Sequence, residues 1–292
     1  MKNMNKVRTF ALLLGVAAGC AVQAQEMIIP EGSVYTFTGT AATGTGITYQ
    51  WYRNGQPIAN ATGASYTLPA NLANGTNVEF KRGVMSSSCS SEVFYNNPFV
   101  ITFVKNGMGI GNFIWATTNV DSYQTFAANP DMYTKFYQWN KSTAYSATNP
   151  ITPAWNSTAN TAATWSVNPC PAGWRLPAKA EFTDLAASGS TWVAATANRG
   201  NAIDGRFYGP NNATCTLPSN MVGCIFLPAA GMRDANGALA SQISGLYWAV
   251  TQSSNTTDGQ LLLVTASPPP VEPTQNKACA LLIRCVQNLP SN

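Results

Sequence analysis

The chain has 292 residues, with 16 basic and 12 acidic side chains, seven cysteines and no histidine. That length suits one large domain or two ordinary ones. The near balance of charge provides no basic stripe for nucleic acid. The missing histidine excludes Ser-His-Asp and Cys-His catalysis and removes the commonest transition-metal ligand.

The first 24 residues read as a secretory signal peptide. Lys2, Lys6 and Arg8 precede the apolar run "FALLLGVAAGCAVQA", which ends in small residues. The run is too short to span a bilayer. Val22 and Ala24 occupy the small-residue positions, so the expected cut follows Ala24. A lipoprotein cut before Cys20 is the alternative; Ala17 and the lack of a polar tether after Cys20 argue against it. Export places the mature chain outside the cell, on its surface or in the periplasm, with no transmembrane span. Removal of the signal leaves 13 basic against 12 acidic residues and six cysteines. An even cysteine count in an exported chain reads as disulfides.

Residues 25–103 read as short strands with turn punctuation. "SVYTFTGT" alternates apolar and polar residues. "ITYQWYRNGQPIA" is a strand, an Asn54-Gly55 turn and a second strand, because Asn-Gly suits the positive φ angles of a tight hairpin. "ASYTLPA", "TNVEFKRGVM" and "FVITFV" complete the set. The string "YQWYRNGQPI" with "GASYTLPA" and "VEFKRGV" resembles a bacterial immunoglobulin-like domain. That resemblance implies a β-sandwich with Trp51 in its core. No cysteine pair flanks Trp51; Cys89 sits late, in the polar loop "SSSCSSE".

Residues 104–292 carry seven of the eight tryptophans. Only "AKAEFTDLAASG" has helical spacing: Phe182, Leu185 and Ala186 fall at i, i+3 and i+4, with Gly189 as the stop. One helix among short strands and long loops predicts an α+β fold for this region. The lone Gly run "NGMGIG" precedes no helix and is no phosphate cradle. Asp121, Asp131, Asp204 and Asp234 all lie near Gly, Asn or Ser, where Asp serves turns, and no carboxylate pair patterned for glycoside hydrolysis stands out. "SPPPVEP" reads as a stiff surface loop.

The order "WATTNVDS", "TFAANP", "FYQWNK", "NPCPAGWRLPAKAEF", "FLPAAGMRDANGAL", "GLYWAVT", "LLIRCVQN" resembles the Fibrobacter succinogenes major paralogous domain. That family is common in exported proteins of Bacteroidetes and Fibrobacteres. The resemblance implies a C-type lectin-like or sulfatase-modifying-factor-like fold for residues 104–292. It also implies a bridge between Cys170 of "CPAGW" and Cys285 of the last strand. Such a staple stabilises by about 3–5 kcal/mol. Relatives carry Thr where Ala178 stands, and Thr would cap the helix with Glu181 in a capping box. Cys215 and Cys224 are expected to bridge locally. Cys89 and Cys279 are left either to join the two domains or to stay free.

Trp51, Trp115, Trp139, Trp174 and Trp248 are expected in the core. Tyr133, Tyr137 and Trp155 are the candidates for a ligand-facing aromatic surface. "EPT" (272–274) and "WNS" (155–157) each lack part of a lectin calcium set. No catalytic residue, cofactor or metal is implied. The expected function is non-catalytic binding or adhesion to a glycan or protein at the cell surface, with a lectin-like head on an immunoglobulin-like spacer, alone or within a surface assembly. An enzyme on the sulfatase-modifying-factor scaffold and a purely structural envelope protein are the alternatives.

Overall fold

The computed structural model describes residues 24–39, 41–87, 89–158, 161–195, 199–218, 220–267 and 273–289, with the side chains of 88–97 outside that description. The signal segment up to residue 23, the Cys89 side chain and Glu272 therefore lie outside it. The first strands are β1 (Gln25–Pro30), β2 (Tyr35–Phe37), β3 (Thr48–Arg53), β4 (Gln56–Pro57), β5 (Tyr66–Leu68), β6 (Val78–Ser86) and β7 (Cys89–Val104). Then come β8 (Gly107–Ile110), β9 (Phe113–Ala116), β10 (Lys135–Gln138), β11 (Ala144–Ser146) and the helix α1 (Lys179–Ala187). The rest are β12 (Ser190–Val193), β13 (Gly205–Tyr208), β14 (Ile225–Pro228), β15 (Met232–Arg233), β16 (Leu239–Ala240), β17 (Gly245–Gln252), β18 (Asp258–Val264), β19 (Thr274–Asn276), β20 (Ala280–Leu281) and β21 (Val286–Asn288).

Two compact units result. One comprises residues up to 27 with 37–66 and 76–101; the other comprises 28–36, 67–75 and 102–292. In the first, a five-stranded sheet runs in the order β1-β7-β6-β3-β4. Asn54 and Gly55 both take positive φ, 48° and 76°, and turn β3 back into β4. Trp51 faces inward on β3, fully buried, and its Nε1 donates to the Gly63 carbonyl at 3.0 Å. Phe37 packs on it at 5.5 Å and on Phe80 at 4.8 Å. Aromatic packing supplies the cohesion here, since each buried ring removes roughly 150–250 Å² from water.

The second unit corrects the sequence-based fold class. It is not a separate α+β lectin-like domain. Among the described residues it holds one nine-residue α-helix and a 3-10 turn at Ala70–Leu72, with short strands in several small sheets joined by loops. The reason lies in the apolar pattern. Runs such as Ile225–Pro228, buried at all four positions, are too short for a helix and are closed off by turns. The sheets run β11-β10-β20-β15-β16, β12-β13-β14, β17-β18-β19 and β21-β9-β8.

Helix α1 buries Phe182 and Leu185, leaves Ala186 exposed, and stops before Gly189 at φ 103°. Glu181 makes its half of a capping box by accepting from the Ala178 backbone N at 2.7 Å. Ala178 has no side-chain oxygen for the other half.

The core gathers Tyr137, Trp139, Trp174, Trp248, Leu281 and Ile283. Trp139 meets Trp248 edge-on at 5.4 Å, and Trp115 stacks on Phe182 at 5.5 Å. Trp248 Nε1 donates to the Tyr137 carbonyl at 2.8 Å. Arg284, fully buried, donates to the carbonyls of Ala116 and Phe226, each at 2.9 Å. Burial pushes its guanidinium down to about 10, which leaves it charged at neutral pH.

Candidate functional site

After β11 the described residues between 147 and 178 form no strand or helix beyond the isolated bridge of Arg175 to Val286. Loops of that length inside compact units are uncommon, and they serve either function or linkage. Their backbone groups need partners, and here buried polar side chains provide them. Arg233, with no exposed surface, donates from Nε to the Ser146 carbonyl at 2.7 Å and from Nη2 to the Thr148 carbonyl at 2.6 Å. Its Nη1 reaches Asn149 Oδ1 at 3.2 Å and the Gly237 carbonyl at 2.6 Å. Burial lowers this guanidinium from its ordinary value.

Three consecutive residues at the end of β10 hold the same loop. Gln138 Nε2 donates to the Asn156 carbonyl at 2.7 Å, and Trp139 Nε1 to the Ala162 carbonyl at 3.0 Å. Asn140 Oδ1 accepts from the backbone of Ser166 and Val167 at 2.8 and 2.9 Å. Lys277 reaches Ala162 from another side. The long loop is thus clamped at 146–149, 156, 162 and 166–167, while Thr152, Pro153, Ala154 and Asn156–Thr158 face solvent.

The three candidate aromatics separate. Trp155 is half-buried in the first third of the loop, donates to the Ala235 carbonyl at 3.0 Å and packs on Tyr145 at 4.6 Å. A Cβ on Gly237, at φ 86°, would lie 2.7 Å from the Trp155 ring, so only glycine fits beneath it. Tyr133 is half-buried on the preceding segment. Tyr137 is corrected: it is fully buried on β10, donates to the Asp121 carbonyl at 2.8 Å and faces the core. Period-two alternation turns it inward once Gln138 points the other way. Burial pushes its phenol well above the usual tyrosine range.

Cys170 and Cys285 form a disulfide with Cα atoms 6.0 Å apart, and Cys215 and Cys224 form a second. Cys279 is a buried free thiol that accepts from Gln275 Nε2 at 3.1 Å. Burial raises it, favouring the unreactive thiol. A separate cleft of about 250 Å³ opens beside Pro30–Val34, walled by Pro130, Pro218 and Met221, with Glu31 at its lining. Among the described residues no group of three His, Cys, Asp or Glu comes together as a metal set.

Arg233, Lys277, Gln138 and Asn140 escaped the sequence reading. A signal was present: in a chain only 10% charged, Arg233 follows the mostly apolar run "FLPAAGM" and Lys277 precedes the run "ACALLI", where a buried cation has to be given partners.

No family model matches the chain. It is similar to the "Decoration protein" of Escherichia phage T5, 46% identical over 48 residues, which cover 16% of this chain and 29% of that protein. The chain therefore spans less than a third of that relative. Among solved structures it is similar to a "Quinonprotein alcohol dehydrogenase-like protein" from Bacteroides thetaiotaomicron. That match has TM-score 0.22 and 13% identity, and covers 82% of this chain and 43% of that one. A likeness at that TM-score carries no argument.

Proposed function

We propose that the chain is an exported, non-catalytic binding protein that presents the loop face around Trp155 to a glycan or protein partner at the cell surface. The observation that carries this reading is the loop itself. A long segment whose described residues form no strand or helix accepts hydrogen bonds from or donates them to Arg233, Gln138, Trp139, Asn140 and Lys277, while its outer residues stay exposed. Preorganised loops on a rigid scaffold are how binding surfaces are commonly built.

Further observations support it. Four cysteines are joined in disulfides, which suits an oxidising compartment. The free thiol of Cys279 is buried, which disfavours its reactive thiolate. Among those residues no helix is long and apolar enough to cross a membrane. The motif string up to Asn288 resembles the Fibrobacter succinogenes major paralogous domain, and an exported binding module suits that resemblance.

The test has two parts. Expressed in a bacterium with its leader, the protein should be cut after Ala24 and be digested by protease added to intact cells or spheroplasts. The purified mature chain should bind saturably on glycan or protein arrays, and Asn156→Arg with Ser157→Arg should abolish binding at unchanged Tm. An uncut cytoplasmic product would refute export; binding indifferent to the double substitution would refute the loop face.

A further inference from the structure

Lys277 is 1% exposed. Its ammonium donates to three oxygens: the Ala162 carbonyl at 3.0 Å, Gln252 Oε1 at 2.7 Å and the Thr256 carbonyl at 2.8 Å. The Trp139 ring lies 5.1 Å from Nζ. An ammonium has three donors, so the count closes without water. The acceptors are all neutral and come from three segments: the long loop, the end of β17 and the β17–β18 turn. Burial lowers the Lys277 ammonium from its ordinary value, and the Asp258 carboxylate opposes that shift; its oxygens accept from Asn255 Nδ2 at 3.2 Å and Thr257 Oγ1 at 3.0 Å.

Burying an ammonium is costly unless hydrogen bonds replace its hydration. Neutral oxygens converging on one point against an aromatic face are the surroundings a small monovalent cation seeks. Calcium asks instead for six to eight oxygens, several of them carboxylates. The seat is shaped for the purpose. A Cβ on Gly259 would lie 2.3 Å from the Trp139 ring, so glycine lets the indole close one wall. The Lys277 backbone N also donates to the Thr257 carbonyl at 3.0 Å, which fixes the root of the side chain beside the turn that it holds.

We propose that Lys277 is a tethered cation: its ammonium fills a monovalent-cation site of three neutral oxygens and one indole face, and this charge orders the loop around Ala162 and the 252–258 turn together. Cutting the side chain back then exposes a site for a free alkylammonium, ammonium or potassium ion. The native loop face needs no calcium.

The experiment is amide hydrogen exchange on the full mature protein, read by mass spectrometry. In sodium buffer, Lys277→Ala should speed exchange across 253–258 and 161–167 by roughly ten-fold or more. Methylammonium or potassium should restore protection saturably, while calcium and chelator leave it unchanged. Lys277→Met, which fills the space without charge, should be loosened and not rescued. Protection unchanged in Lys277→Met, or a loosened Lys277→Ala that no monovalent cation restores, overturns the proposal. If neither variant folds, nitrogen-15 lysine spectra of the native protein decide: a slowly exchanging ammonium resonance with contacts to the Trp139 ring supports it, and one exchanging like the surface lysines overturns it.

Discussion

Cys170 and Cys285 are bonded across 115 residues of sequence, and the residues beside them finish the joint. Arg175 and Val286 exchange both backbone hydrogen bonds, at 3.1 and 2.9 Å. Arg175 then grips Glu181 of α1 with two parallel hydrogen bonds of 2.8 and 2.6 Å, and Asn288 of β21 with a third at 2.7 Å. One short stretch thus ties the helix entry to the last strand by a covalent bond, a backbone bridge and a guanidinium fork.

Replacing Cys170 and Cys285 together by serine should lower stability by about 4 kcal/mol, because the long loop regains its freedom in the unfolded chain. Urea unfolding of the mature protein checks this, and a loss under about 1 kcal/mol would show that the bridge contributes little beyond the Arg175–Val286 pairing.

Ala178→Ser should stabilise by about 1 kcal/mol. The position already has N-cap backbone angles, φ −74° and ψ 160°, and Glu181 already accepts from its N–H. A serine hydroxyl would share the Glu181 N–H, which now donates to the Ala178 carbonyl at 3.1 Å, and complete the box. Thermal unfolding should show a raised Tm.

Cys279 should resist iodoacetamide in the native protein at pH 8 and react fully in denaturant. Burial raises its pKa, so the thiolate that alkylates is scarce at that pH. Peptide mass mapping reads both states. Fast native labelling would mean that the 277–281 segment opens.

Arg233→Lys should cost about 2–4 kcal/mol and loosen the loop face. The arginine serves four oxygens from a planar fork, which a lysine with three donors on one point cannot match. Protease cleavage within 150–158 should quicken, and partner binding should fall with it.

Gly259→Ala should destabilise by roughly 1–3 kcal/mol, because the new methyl meets the Trp139 ring inside contact distance. Trp139 also touches Trp165 and Trp248, so a shifted tryptophan emission should accompany the loss.

Local patterns were legible in the chain as read. The Asn54-Gly55 hairpin, the strand ahead of it and the helix of Phe182 and Leu185 follow from neighbours a few residues apart, where backbone preference and spacing decide. The turn role of Asp234 is of the same kind: its carboxylate accepts from Asn236 and Ala238 just beyond it. The fold class was not legible. Short apolar runs such as Ile225–Pro228 and Ala280–Leu281 fit strand and buried loop alike, and pairing with distant partners assembled them into small sheets. Nor was the loop face. Arg233 is four residues from Gly237 but more than eighty from Ser146, and Lys277 is 115 from Ala162. Sequence alone determined which segments could turn, extend or coil. Only the tertiary structure decided which cations would be buried and which loop they would hold, because a buried charge takes its partners from whatever the fold brings to it, at any separation along the chain.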